Sequence, residues 1–138
     1  MTSIKQLKLA QKGAVLQQRA ISELNALARD IERCEKAIVN LQRELEAVNS
    51  KHQGTRTTRE DVAYLSALLE CAKKKLTWEK QMASVQKRTP VILEEISKLI
   101  NDPINPPPDP VREEMVLALR RVQAAMERLQ TARADACV

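Results

Sequence analysis

Apolar positions along the chain fall into three helical stretches separated by two breaks. In the first, from about Ser3 to Asn49, Leu24, Ile31, Ile38 and Leu45 recur every seven residues, with Leu27, Cys34, Leu41 and Val48 three positions later. Four such heptads in succession are a coiled-coil seam. The earlier Leu7, Leu9, Val15 and Leu16 follow another register, and Gly13 among them predicts a late or locally weak helix start. Polar turn residues from Ser50 to Thr57, with Gly54, interrupt the pattern. Thr58 then reads as the N-cap of a second helix, with Glu60 and Asp61 complementing its positive end. That helix is expected from about Arg59 to Ile100. Val62, Leu65, Leu69, Ala72 and Leu76 alternate spacings of three and four, and Met82, Val85, Thr89, Ile92, Ile96 and Leu99 continue the pattern after a slip near Trp78 and Glu79. Pro90 has no N–H and crowds the preceding turn, so a kink near Gln86 to Pro90, or a break there, is expected.

Residues 101–109 carry Pro103, Pro106, Pro107 and Pro108, which exclude helix over most of that length and predict a stiff connector. The same run could in principle serve a proline-recognition domain, although such segments more commonly act as spacers. Asp109 as N-cap and Pro110 at the first helical position suit the start of a third helix. It is expected over about 110–134, with Met115, Leu119, Val122, Met126 and Leu129 on one stripe. The short polar connection makes the long helices antiparallel. The expected fold is therefore all-α: a single-domain antiparallel three-helix bundle, residues 1–138, with a long coiled-coil hairpin and a shorter third helix in its groove.

Composition narrows the function more than the fold. The 138 residues include no Phe, one Trp, one Tyr and two Gly, so the core must be an aliphatic seam between helices. The net charge of +5 comes from 23 basic and 18 acidic residues, a mixed surface with a mild basic bias. Single-strand nucleic-acid binders interleave stacking aromatics with basic residues, and those aromatics are missing. No apolar run approaches the ~18 residues of a membrane span, and the N-terminus lacks the apolar stretch of a signal peptide. A cytoplasmic protein that binds neither nucleic acid nor membrane is expected.

Chemistry is sparse. Cys34, Cys71 and Cys137 are far apart, without a CxxC pair, and His52 is the only histidine, so neither a disulfide framework nor a zinc site is indicated. Cys34 and Cys71 read as small buried residues. Isolated Gly13 and Gly54 form no phosphate loop, and Glu94, Glu95, Glu113 and Glu114 read as solvated helix positions. No nucleophile–base pair is apparent. The expectation is a protein without catalytic residues, metal or cofactor. Lys73, Lys74, Lys75, Lys80, Lys87 and Arg88 form the densest basic stretch. Successive helical residues fan around the axis, but Lys73, Lys80 and Lys87 recur every seven and share one side. They fit either a solvated face or an electrostatic contact with an acidic partner. Trp78 suits a core position and an interface anchor equally.

The arrangement resembles the tubulin-binding cofactor A family, small helical chaperones of β-tubulin. The resemblance covers roughly Leu7 to Leu129. Asp61-Val62 is similar to that family's opening of helix two, Leu68-Leu69 to its paired aliphatics, and Lys73-Lys74-Lys75-Leu76 to its basic-then-aliphatic run. Gln6-Leu7-Lys8-Leu9 and Gly13-Ala14-Val15 resemble the N-terminal segments. The chain departs from the family at Thr77, where proline is common, at Pro90, and in the longer strap Pro106-Pro107-Pro108. The resemblance implies a monomeric, cytoskeleton-associated chaperone that captures β-tubulin during heterodimer assembly, with a loose dimer left open. Partner-binding residues are then expected among Lys73, Lys74, Lys80 and Lys87. The competing reading is a structural coiled-coil subunit of a cytoskeletal or tethering complex. A self-contained bundle covers its own hairpin with the third helix, whereas a subunit of that kind leaves a seam open for another chain.

Overall fold

Ser3 opens the first helix with a reciprocal capping box. Its hydroxyl accepts the Gln6 N–H at 3.1 Å, and the Gln6 side-chain oxygen accepts the Ser3 N–H at 3.0 Å. The computed structural model describes residues 3–52, 54 and 57–136. It contains α1 (Ile4–Lys51), α2 (Thr58–Ile100) and α3 (Asp109–Ala136), and no strand among the described residues. The all-α three-helix bundle read from the heptads is the fold found. Gly54 turns the chain between α1 and α2 at φ 89°, a conformation that side chains with a Cβ avoid.

Two helix caps differ from the sequence reading. The cap of α2 is Thr57, not Thr58: its hydroxyl accepts the Glu60 N–H at 3.2 Å. The α3 cap likewise lies one residue early, since the Pro108 carbonyl accepts the Arg112 N–H at 2.9 Å and Asp109 is already helical. Of the two outcomes expected at Pro90, a kink or a break, the break does not occur: α2 is one helix from Thr58 to Ile100. Thr89 and Ile96, on either side of Pro90, are buried against the rest of the bundle.

Side-chain contacts fix the topology. Asn49, Glu44, Cys34 and Asp30 of α1 meet Tyr64, Lys74, Trp78 and Arg88 of α2, so these helices are antiparallel. Glu32, Glu35 and Gln42 of α1 meet Arg121, Arg128 and Asp135 of α3, so α3 runs parallel to α1. Both α2 and α3 pack mainly on α1 and only sparsely on each other. The core accordingly lies along α1 from Ala20 to Ile38, against Trp78, Met82, Val85 and Ile96 on one side and Met115, Val122 and Leu129 on the other. Trp78 is a core residue, donating its indole N–H to the Cys34 carbonyl at 2.8 Å. Cys34 and Cys71 are buried as expected, and burial pushes the Cys34 thiol up, keeping it protonated and apolar. Cys137 lies outside the described residues.

The first half of the strap between α2 and α3 is tied down. The Asp102 carboxylate accepts the N–H groups of Ile104 and Asn105 at 2.9 and 3.3 Å. The buried Gln17 side chain then donates to the Asn105 carbonyl at 3.3 Å. Gly13 gives no weak helix start: α1 runs through it, and the Asn105 side chain occupies the space a Cβ would need. The absent side chain is a notch for the strap.

This packing makes a sharp stability contrast between two leucines of similar spacing. Leu24 is fully buried, whereas Leu69 is 57% exposed. Leu24→Ala is expected to cost about 2–5 kcal/mol, by lost burial plus a cavity, and Leu69→Ala to stay within about 0.5 kcal/mol. Urea denaturation of both variants checks the pair; comparable losses would mean that α2 faces α1 in another register.

Candidate protein-binding surface

The first half of α2 presents its cleanest apolar stripe to solvent. Val62, Leu65, Leu69 and Leu76 are each more than half exposed, and Ala72 between them is exposed as well. The sequence pattern placed this stripe in the bundle, continued after a slip by Met82 and Val85. The two sets instead occupy different faces. The buried face of α2 passes through Cys71, Trp78, Met82, Val85, Thr89 and Ile96, and extends back through half-buried Leu68 and Tyr64. At 100° per residue, the Val62–Leu76 stripe lies well over a quarter-turn from that face. The apparent slip at Trp78 is the change from an outward stripe to an inward one.

The described part of α3 stops short of this stripe. The Asp135 carbonyl meets Gln42 of α1, which places the end of α3 there. Beyond that level the hairpin is two helices thick, and Leu45, the last of the α1 heptad leucines, is also exposed. A second exposed set, Ile4, Leu7, Leu9 and Val15, lies at the other end of α1, interspersed with Lys5, Lys8 and Lys12.

The four expected contact lysines divide into two groups. Lys74 is committed within the fold: its Nζ reaches both Glu44 carboxylate oxygens, at 2.7 and 2.8 Å, and clamps α2 to α1. That hydrogen bond holds the Lys74 ammonium above its ordinary pKa. Lys73 pairs with Glu70 along its own helix at 3.3 Å, in full solvent. Lys80 and Lys87 make no ion pair among the described residues and are exposed. Lys73, Lys80 and Lys87 line one edge of the bare stripe, so Lys74 drops out of the candidate surface.

His52 caps α1, and its ring meets that of Tyr64 at a tilt of 51°, with centroids 5.2 Å apart. Among the described residues no group of three or more His, Cys, Asp or Glu is placed to hold a metal ion. Among the described residues, no helix is long and apolar enough to cross a membrane. Comparison with protein-family models, with curated proteins and with solved structures returns no match. Geometry alone therefore identifies the surface: an apolar stripe with a lysine edge, on an exposed hairpin.

A row of charged clamps keeps α3 on α1 and leaves that hairpin free. The Arg121 guanidinium donates to Glu32 at 2.9 Å and holds its carboxyl below the ordinary value of 4.5, with Arg128 and Lys36 adding to the effect. A carboxyl with a depressed folded pKa contributes stability above its unfolded pKa and loses it as pH falls through the folded one. Glu32→Gln should thus cost under about 1 kcal/mol near pH 7, as a partly exposed pair. It should also flatten the loss of stability between about pH 5 and 3. Denaturation curves across that range test this, and an unchanged acid limb would discount the clamp.

Proposed function

We propose that this chain is a non-enzymatic helical protein-binding module, and that the partner it holds is β-tubulin, captured during assembly of the α/β heterodimer. The observation that carries a binding role is the bare apolar stripe of α2 beside its lysine row. Contiguous exposed leucines are costly to leave in water and mark interaction sites. The choice of β-tubulin follows the resemblance in Asp61-Val62, Leu68-Leu69 and Lys73-Lys74-Lys75-Leu76. A basic edge suits an acidic protein such as tubulin. On this reading the protein works in the cytoplasm beside the cytoskeleton, by reversible binding of helical surfaces, with no cofactor.

A specific observation favours a second reading, a structural coiled-coil subunit of a cytoskeletal or tethering complex. α3 closes only part of the hairpin, and the stripe it leaves open has coiled-coil spacing.

Light scattering on a sizing column, with and without β-tubulin released from heterodimer, separates the two. A monomeric free chain and a one-to-one complex are the outcome for the chaperone; no complex with β-tubulin decides for the subunit. Within the chaperone reading, Lys73→Glu, Lys80→Glu and Lys87→Glu together should weaken capture about tenfold or more. The helical spectrum should be unchanged, since these side chains are exposed. Undiminished capture by the triple variant would exclude this face of α2.

A further inference from the structure

The open stripe of α2 is longer than its leucines. Taking Val62 as position a of a heptad, the a and d positions are Val62, Leu65, Leu69, Ala72, Leu76, Glu79, Ala83, Gln86, Pro90 and Leu93. All are exposed except Leu93, which is half-buried. The last three line a cleft of about 340 Å³ between α2 and α3, whose other wall includes Met126, Gln130 and Arg133. The bare hairpin and the poorly closed α2–α3 edge are thus one coiled-coil track. From Val62 to Leu93 it spans about 47 Å at 1.5 Å per residue.

Its two edges differ. One edge, Leu68, Lys75, Met82 and Thr89, borders the bundle, and from Met82 onward it is buried. The other edge, position e, carries Lys73, Lys80 and Lys87 in three successive heptads, all exposed. Residues at such edges select a coiled-coil partner by charge. A second copy of this chain is a poor match. Antiparallel pairing over the lysine-bearing part would lay this row against itself, and parallel pairing would set Lys80 against Lys75 of the second copy. Glu79, at the centre of the track, adds a polar layer that fixes register when it meets a basic residue.

We infer that α2 receives an amphipathic partner helix of about four heptads, whose apolar seam is bordered by acidic residues facing Lys73, Lys80 and Lys87. This rests on the reading of the chain as a protein-binding module and specifies the chemistry of what it binds.

The test uses the full chain and two synthetic four-heptad peptides. Both have leucine and isoleucine at a and d and one central lysine in the seam; one has glutamate at all e and g positions, the other lysine. Calorimetry should show the glutamate peptide binding about tenfold or more tightly than the lysine peptide at low salt. The Lys73→Glu, Lys80→Glu, Lys87→Glu variant should reverse that preference. Leu65→Asp with Leu69→Asp should abolish binding of either peptide while leaving the circular dichroism spectrum intact. Equal affinity for both peptides, failure to bind either, or a preference that the triple variant does not reverse would overturn the inference. So would a stable dimer of the free chain at the concentrations used. Capture of β-tubulin by the same variants separates this from the wider proposal. Capture lost in the aspartate variant, alongside an unreversed peptide preference, sinks the acidic edge and leaves the binding role standing.

Discussion

Everything in this molecule depends on one stripe of α1, from Ala20 to Ile38, being shared by two neighbours. Leu24, Leu27, Ala28 and Ile31 have no exposed surface at all, which a helix packed against a single partner does not achieve. The stripe is wide: Ala28 and Ile21 lie on the side of α3's clamps, while Cys34 and Ile38 turn toward α2. Burial of that whole arc is the main driving force available to a chain without phenylalanine. Since α1 satisfies both neighbours, α2 and α3 have little left to bury against each other, and the third edge of the bundle remains an apolar cleft.

Length then decides what stays open. α1 has 48 residues and α3, as described, 28, so among the described residues α3 covers only part of α1. The strap sets where the covered part begins. Asn105 sits in the notch at Gly13, Gln17 holds its carbonyl, and Pro107 is buried, so α3 starts at a defined level of α1. From there α3 ends at Gln42, and the charged pairs Glu32–Arg121 and Glu35–Arg128 keep it from sliding. The uncovered distal hairpin is a consequence of that register, because moving α3 along α1 would pull Asn105 out of its notch. Two-helix hairpins are held together weakly, and here Trp78 bonded to Cys34, Lys74 to Glu44 and Tyr64 to Asn49 span the junction. These contacts keep the hairpin closed while its outer leucines stay in water.

Much of this was legible in the sequence, for physical reasons that also explain the failures. The helix ends between α1 and α2 and at the strap prolines 103 and 106–108 were readable because turn residues and missing N–H groups act locally. The α1 heptads were readable because a core stripe has a strict period, and Leu24 to Ile38 are buried as that period requires. The same period misled in α2. Periodicity shows that a helix has an apolar face without showing what covers it, so Val62–Leu76 continued the bundle pattern although they are exposed among the described residues. The slip at Trp78 was the clue, since a helix that changes its apolar face mid-way has two faces with different occupants. The role of Gly13 was hidden for another reason. Its partner Asn105 is 92 positions away, and local propensity describes only the cost of a helical glycine.

The charges along α2 discriminate among the helices that its apolar stripe could receive. A bare leucine stripe is indiscriminate: any amphipathic helix, including a second copy of this chain, could lie on it and gain by burial. Lysines in three successive edge positions change that balance. Each opposed pair is worth only a few tenths of a kcal/mol, but like charges cost a self-pair about what opposite charges gain for an acidic helix. The difference therefore doubles and accumulates over the row, while the apolar contribution is nearly the same for both occupants. Lys74 shows that α2 also uses lysine for internal support, where Glu44 lies within reach on α1. Lys80 and Lys87 have no such acid among the described residues, so their charge is directed outward. Selection by the edge and affinity from the seam then reside in different residues of one helix, and substitutions can alter either one separately.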